Sequence, residues 1–399
     1  MAVRGIRQSE SELAALEMRT GLANLILATA AARVSGEVHA FFYLWYGAPG
    51  YLGEGWKHWN HEVLPHWTEQ VNSQYPEIGS RFTPPGNLHS PFYPLNGPYS
   101  SRDPAVVVRQ IDEMVRAGIS VAVLSWWGQA EKPYATDTQG VNTDIVFGEL
   151  LQIFDNDGSR VKVAFHLEPY PGRSVASVRE DIEYLLTKYG HHSSLHRSID
   201  GRPWCYVYDS YHQPATEWAR ALSPDGDLSI RGTAFDAVVI GLWLSHEHGR
   251  DLSNGRFDGI YSYFASEGFS YGSTTSNWRS MCQLAHRSGM LCSLSVGPGY
   301  NDTRIRPWNN HNTRGRDSGA YYEAMWERTL WAGGDIVSVT SFNEWGEGTQ
   351  IEPAAVANNS SYIGYGEDPS MYLDLTKLWA NRFRERQQQK IHQKVQQEL

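Results

Sequence analysis

Short apolar runs alternate with longer amphipathic segments along most of the chain. The runs are five to eight residues long and rich in β-branched and aromatic side chains, which is typical of buried strands. Eight runs predict eight strands, at Val38–Trp45, Ser120–Trp127, Val161–Glu168, Trp204–Tyr208, Ala237–Trp243, Gly259–Phe264, Leu291–Val296 and Ile336–Phe342.

Helix start and stop signals lie between these runs. Asp103 and Pro104 supply an N-cap and a first helical residue, and Gly118 ends the segment. Ser174 caps a second helix, which Gly190 closes. The same signals predict three further helices, at Asn277–Ser288, Ala320–Ala332 and Met371–Phe383.

Alternating strands and helices predict parallel strands joined by crossover helices. Eight units favour an α/β fold of the (β/α)8 TIM-barrel type, because no G-x-G-x-x-G turn follows the first strand as a doubly wound sheet would require. We expect an N-terminal helical or stem segment over residues 1–36, a catalytic barrel over 37–383 and a polar tail over 384–399. Residues 47–99 predict a long aromatic first βα loop, and such loops are usually functional.

The amino-acid composition and net charge favour some classes of ligand over others. Aromatic residues make up 13% of the chain, with 15 Trp and 22 Tyr. Such rings suit a groove for flat, hydroxylated sugars, although most of the tryptophans are expected in the core. The net charge is −10 and no Lys/Arg block precedes the tail. A nucleic-acid partner or an anionic membrane surface is therefore not expected.

Metal and thiol chemistry have little support in the sequence. Three cysteines allow at most one disulfide. His58, His61 and His66 lack metal-site spacing, and no H-E-x-x-H occurs. No G-x-S-x-G elbow supports a serine hydrolase. We predict neither a metal nor a cofactor.

The strongest chemical signal follows the last predicted strand, at residues 341–353, Ser-Phe-Asn-Glu-Trp-Gly-Glu-Gly-Thr-Gln-Ile-Glu-Pro. Glu344 and Glu347 lie three residues apart just beyond the strand's carboxyl end. Glycoside cleavage uses a pair of carboxyl groups, one of which protonates the departing oxygen. Taken alone, the pair is equally compatible with a solvated turn.

Residues that follow the strands of a barrel share one face, and that face carries the chemistry. Acids, amides, His and aromatic rings recur at this level, more than structural turns usually contain. His166 with Glu168 either orients the reacting carboxylates or forms a buried ion pair. The candidate substrate-binding residues at the strand ends are Tyr46, Trp126, His166, Glu168, Tyr208, Asp209, Tyr261, Tyr263, Tyr300 and Asn343.

Several segments together carry a resemblance that spans about residues 38–383. They are Phe42–Gly47, His58–His61, Tyr99–Pro104, His166–Tyr170, Tyr208–Tyr211, Phe257–Tyr261, Ser295–Tyr300, Arg306–Asn309 and Asn343–Glu352. In these segments the chain resembles glycoside hydrolase family 99, the endo-α-1,2-mannosidases that trim glucosylated N-glycans. The resemblance adds Arg306 and Trp308 to the substrate-binding candidates.

The resemblance implies a mechanism. Members of this family release a glucosylmannose unit with retention at the anomeric carbon and without an enzymatic nucleophile. By motif match, Glu344 is the base for the sugar's own 2-hydroxyl, which attacks C1 to form a 1,2-anhydro sugar, and Glu347 is the acid/base. Glu347 then needs a raised pKa, which we expect from burial near Trp345 and neighbouring rings. Tyr46, Trp126 and Tyr300 are expected to contact the sugars.

The resemblance also implies glucosylated high-mannose N-glycans on glycoproteins as the partner, and a Golgi-lumen domain on an N-terminal membrane helix. The apolar run Gly21–Ala32 has twelve residues, too few to span a bilayer, and follows an acidic stretch. We therefore predict no signal, anchor or membrane contact in this chain. Gly346 stands where many animal members have His.

Two alternatives to an endo-α-1,2-mannosidase remain open. One is another barrel glycan hydrolase of different linkage specificity, and the other is a glycan-binding protein without activity.

Overall fold

The computed structural model describes residues 36–133, 135–355 and 361–398. Eight parallel strands form a closed barrel in sequence order, and the last strand pairs with the first. Every strand lies within a predicted run, so the (β/α)8 prediction is confirmed. The strands are β1 Val38–Phe42, β2 Val121–Trp126, β3 Lys162–Leu167, β4 Trp204–Val207, β5 Val238–Leu242, β6 Gly259–Tyr261, β7 Leu291–Val296 and β8 Ile336–Val339.

Helices follow the strands and surround the barrel. They are α1 Glu69–Asn72, α2 Pro104–Ala117, α3 Thr143–Asn156, α4 Val175–Tyr189, α5 Ala215–Leu222, α6 His248–Asn254, α7 Trp278–Arg287, α8 Ala320–Ala332 and α9 Met371–Glu398. The predicted caps form as expected. Asp103 accepts a hydrogen bond from the N–H of Ala105, and Gly118 ends α2 in the left-handed conformation, with φ 73°.

The last helix crosses the predicted boundary between the barrel and its tail. It continues from Met371 to Glu398 without a break at residue 383. Gln387 is buried and its side-chain amide donates to the carbonyl of Gly334, at 2.6 Å. The start of the predicted tail therefore packs on the barrel. The predicted N-terminal segment lies outside the described residues except for Gly36.

The first βα connection is the long loop over residues 47–99, which contains only one short helix, α1, and packs over the mouth of the barrel. The N–H of Leu64 donates to the carbonyl of Ile305 at 2.7 Å. The Tyr99 hydroxyl donates to Glu352 at 2.7 Å, and Trp59 Nε1 donates to the Tyr99 carbonyl at 2.7 Å. The loop is thereby fixed to the segments that follow β7 and β8.

Cys282 in α7 and Cys292 in β7 form a disulfide, whereas Cys205 is buried and free. One bridge is the maximum that the sequence allows. Among the helices of the described residues, none has the length and apolar character needed to cross a bilayer.

Candidate active site

A cavity of about 570 Å³ opens at the carboxyl ends of the strands. One wall comes from the long first loop, and the others come from residues that follow β4, β6, β7 and β8. Its lining includes His66, Trp67, Val71, Tyr75, Tyr208, Tyr263, Phe264, Phe269, Tyr300, Arg306, Trp308, Asn309 and Glu347. The cavity is thus largely aromatic, with one carboxyl group and one guanidinium group in its wall.

The loop after β8 is held rigidly by buried hydrogen bonds. The Tyr46 hydroxyl donates to the carbonyl of Asn343 at 2.8 Å and accepts from the N–H of Trp345 at 3.1 Å. The N–H of Glu344 donates to the Ser341 hydroxyl at 2.7 Å. These bonds fix the backbone on both sides of Glu344, which preorganises its carboxyl group.

Glu344 and Glu347 occupy different depths. The side chain of Glu347 is 25% exposed and lines the cavity, whereas Glu344 is 7% exposed. Burial raises the pKa of Glu347 to about 7, and the charges of Asp302 and Glu168 add to the rise. Burial also raises the pKa of Glu344, and the neighbouring charge of Glu347 raises it further. The pair therefore retains at least one proton near neutral pH.

Arg306 opposes these shifts. Its Nη1 lies 3.7 Å from Glu347 Oε1 and 3.1 Å from Asp302 Oδ2. The positive charge lowers the pKa of both Glu344 and Glu347. Asp302 is fully buried and also accepts from the Tyr300 hydroxyl at 2.8 Å. Asp302 thus orients two of the predicted substrate-binding side chains.

His166 and Glu168 lie together, which is compatible with both interpretations of the sequence. His166 Nδ1 is 3.0 Å from Glu168 Oε1, which also accepts from the Ser125 hydroxyl at 2.8 Å. Both side chains are buried, and His166 Nε2 lies 3.1 Å from the Tyr261 hydroxyl. The charge of Glu168 raises the pKa of Glu347, so the pair is electrostatically coupled to the cavity.

Seven of the twelve predicted substrate-binding residues do not line the cavity. They are His166 and Glu168, described above, and Tyr46, Trp126, Asp209, Tyr261 and Asn343. Trp126 is fully buried and its Nε1 donates to Asp144 of α3 at 3.0 Å. Successive side chains along a strand point to opposite faces. Ser125 points into the barrel towards Glu168, and Trp126 therefore points outward to the helices. Tyr46, Tyr261 and Asn343 are also buried by internal contacts. Asn343 exchanges two hydrogen bonds with the backbone of Tyr43, at 2.7 and 2.8 Å.

Asp209, just beyond the end of β4, also lies outside the cavity lining. Its backbone is left-handed, with φ 50°, and its carboxylate accepts from the Tyr211 hydroxyl at 2.7 Å. The neighbouring Tyr208 does line the cavity, as do Tyr263, Tyr300, Arg306 and Trp308. The structure therefore brings these five predicted residues together with Glu347.

The family model of glycosyl hydrolase family 99 matches residues 34–385. The chain belongs to this family. It is therefore a glycoside hydrolase.

Curated relatives of this family 99 chain cover most of its length. A human glycoprotein endo-alpha-1,2-mannosidase-like protein is 42% identical over 358 residues, which are 88% of this chain and 76% of the relative. A glycoprotein endo-alpha-1,2-mannosidase from Rattus norvegicus is 40% identical over 87% of this chain and 74% of the relative. The solved GH99 endo-alpha-mannosidase from Bacteroides thetaiotaomicron superposes with a TM-score of 0.77 at 36% identity, covering 88% of this chain and 99% of that one.

Two groups of the family 99 site were missed from the sequence. Tyr43 bonds the hydroxyl of Tyr263, and its pKa is raised by burial and by the charges of Glu168 and Glu344. It immediately follows β1, but the predicted strand continued to Trp45, so the sequence placed Tyr43 inside the strand and not at its end. Trp67 lies in the long loop and is 82% exposed at the cavity rim. No periodic pattern marks such a loop residue.

Proposed function

We propose that the chain is a retaining endo-α-1,2-mannosidase that acts on the N-glycans of glycoproteins. The observation that carries the proposal is the Glu344–Glu347 pair, held beyond β8 beside an aromatic cavity. Burial and mutual repulsion keep one proton on the pair, so that Glu344 is the base when Glu347 carries that proton. The names of the human and rat relatives, which are similar over most of the chain, support this activity and linkage.

We propose further that a glucosylmannose unit is released from glucosylated high-mannose glycans through a 1,2-anhydro sugar. In the first step Glu344 removes the proton of the 2-hydroxyl, and that oxygen attacks C1. The bond from C1 to the leaving mannose breaks, and Glu347 protonates the departing oxygen. The attack is intramolecular, so most of its entropic cost is removed before the reaction.

The second step restores both carboxyl groups. Glu347 removes a proton from water, the resulting hydroxide attacks C1, and the C1–O2 bond of the epoxide opens. O2 takes back the proton that Glu344 holds. Two inversions at C1 give net retention. A pKa of about 7 suits Glu347, because a group that gives and then takes a proton works best near the ambient pH.

The roles of the two acids are tested by substitution. Glu344→Gln and Glu347→Gln are each expected to lower kcat on glucosylated high-mannose glycans by at least about a thousandfold while the glycan still binds. Glu367→Gln is the control, because Glu367 is an exposed carboxyl outside the cavity lining. A wild-type protein that binds the glycan and never cleaves it would establish a binding protein instead. Cleavage of other linkages alone would establish a different specificity.

The anhydro step has its own test. A substrate that lacks the 2-hydroxyl of the mannose at the cleaved bond has no internal nucleophile. We expect it to bind in the cavity and to remain intact under conditions in which the hydroxylated substrate is fully cleaved. Cleavage of the 2-deoxy substrate at a comparable rate excludes the intramolecular route and leaves endo-mannosidase activity as a separate question.

For localisation we propose the Golgi lumen. The family resemblance suggests it, and the Cys282–Cys292 disulfide supports an oxidising compartment, because disulfides persist in secretory compartments and are rare in the cytosol. Protein isolated from its native cells under alkylating conditions is expected to show one free thiol, that of Cys205. Three free thiols, or microscopy that places the protein in the cytosol, would contradict this location.

A further inference from the structure

Three side chains form a compact group at the end of the barrel opposite the cavity. Glu37 immediately precedes β1, His39 lies on β1, and His196 lies between α4 and β4. Their ligand atoms all lie within 4.8 Å of one another. No other set of three or more His, Cys, Asp or Glu ligands meets this criterion among the described residues. His39 and His196 are 157 positions apart, so no sequence spacing reveals the group.

We propose that Glu37, His39 and His196 bind a zinc ion at the amino-terminal end of the barrel. Two imidazole nitrogens and one carboxylate oxygen are a common protein ligand set for Zn²⁺. The site is distinct from the catalytic face, and its existence does not depend on the proposed function.

The distances fit a metal site. Glu37 Oε2 lies 3.2 Å from His39 Nε2 and 3.2 Å from His196 Nε2. Two ligand atoms at about 2.0–2.1 Å from a tetrahedral zinc ion lie roughly 3.3 Å apart. His196 Nε2 is buried and makes no hydrogen bond despite its nearness to Glu37. A metal ion between the three groups satisfies this nitrogen.

The groups around the ligands orient them. His39 Nδ1 lies 2.8 Å from the Tyr206 hydroxyl, and metal-binding histidines usually use the second ring nitrogen in this way. The Trp204 ring packs against both imidazoles, with centroids 5.6 Å from His39 and 5.1 Å from His196. The two rings are therefore held in place before an ion arrives.

The site is open to solvent on one side. The side chain of Glu37 is 25% exposed, which leaves a path for the ion and a position for water.

Bound zinc connects separate parts of the chain. His196 donates its backbone N–H to the carbonyl of Val163 in β3, at 2.8 Å, while the other two ligands belong to the start of β1. The ion therefore cross-links β1 to the segment before β4. Residues on this face of a barrel contribute to stability rather than to chemistry, so zinc is expected to stabilise the fold without changing kcat.

The test uses the full chain after treatment with a chelator. One equivalent of Zn²⁺ is expected to remain bound after dialysis, measured by elemental mass spectrometry, and to raise Tm by roughly 3 °C or more. Mg²⁺ at the same concentration is expected to do neither. Co²⁺ in the same site is expected to give the visible absorption of a nitrogen- and oxygen-ligated ion.

Variants locate the ion. Glu37→Gln and His196→Gln each remove one ligand at the rim and are expected to abolish retention of zinc and the rise in Tm. His39 is left unchanged because it lies inside the barrel. His191→Ala, which removes an exposed imidazole beside His192, is expected to bind zinc like the wild type. Zinc that is not retained by the wild type, or is retained equally by both ligand variants, overturns the proposal.

Discussion

The imidazole of His89 occupies the space that a side chain at Gly346 would need. A Cβ atom at residue 346 would lie 2.9 Å from His89 Cδ2 and 3.2 Å from Glu344 Oε1. His89 is buried, so it has little room to withdraw. This contact gives a physical reason for glycine between the two acids, at a position where the family resemblance leads us to expect His in many animal members.

We predict that Gly346→Ala lowers kcat by about tenfold or more, because the added methyl group displaces Glu344 from its working position. Removing the obstacle in His89→Ala/Gly346→Ala is expected to restore at least half of that loss, in free-energy terms, in a double-mutant cycle. The measurement is kcat on the glucosylated glycan, with folding checked by circular dichroism.

Gly86→Ala is the matched control for this cycle, because a Cβ atom there meets no atom within 4 Å. Additive effects of the two substitutions at residues 89 and 346 would show that the contact is unimportant.

The pH dependence of stability follows from the raised pKa of Glu347. Below its ordinary pKa, about 4.5, the group is protonated in both the folded and the unfolded chain. As the pH rises towards 7, the unfolded chain ionises first, so the favourable contribution of the protonated group to folding is lost. Gln cannot ionise. Glu347→Gln is therefore expected to gain stability relative to the wild type between pH 5 and pH 8, by up to a few kcal/mol.

Urea unfolding at pH 5 and at pH 8 measures the difference in the free energy of unfolding between Glu347→Gln and the wild type. The exposed control Glu367→Gln is expected to show a constant difference from the wild type. If the free energy of unfolding of Glu347→Gln differs from that of the wild type by the same amount at pH 5 and pH 8, Glu347 is ionised in the folded protein at neutral pH.

We predict that Arg306 influences the alkaline limit of activity. The proposed acid must be protonated, so kcat/KM is expected to fall as the pH passes about 7, and Arg306 holds this limit down by favouring ionised Glu347. Arg306→Gln is expected to shift the alkaline limb of the kcat/KM profile to higher pH by up to about one pH unit. This shift is expected whether or not the substitution also lowers the maximum of kcat/KM. Arg306→Lys keeps the charge and is expected to keep the limb near its wild-type position. If the alkaline limb of the pH profile does not move in Arg306→Gln, Arg306 does not control the ionisation of Glu347.

Trp67 and Trp126 are expected to give opposite phenotypes. Trp67 is exposed at the cavity rim, so Trp67→Ala is expected to raise KM by about three- to tenfold with little change in Tm. Trp126 is buried against α3, so Trp126→Phe is expected to cost about 1–3 kcal/mol of stability, through the lost bond to Asp144, with KM unchanged. Thermal unfolding and steady-state kinetics check both variants. A raised KM in Trp126→Phe would return this residue to the substrate site.

The barrel was predictable because strand and helix periodicity are local properties of the sequence. The short apolar runs fixed all eight strands, and Asp103 with Gly118 marked the ends of α2. The strand-end rule also brought Glu347 to the correct face. These predictions needed no knowledge of which distant segments meet.

Side-chain direction was harder to predict. Ser125 and Trp126 are neighbours at one strand end, and only the alternation inside the folded barrel shows that Ser125 faces Glu168. Asn343 looked like a substrate contact, but its amide is used by the backbone of Tyr43, 300 residues away. Partners this distant are fixed by tertiary packing, which a local pattern does not contain.

The most direct test of the central claim is the configuration of the first product. Proton NMR during cleavage of a glucosylated high-mannose glycan distinguishes the anomers of the released glucosylmannose before they interconvert. Two inversions at C1, driven by Glu344 and Glu347, predict that the α-anomer appears first. Initial release of the β-anomer would contradict the mechanism.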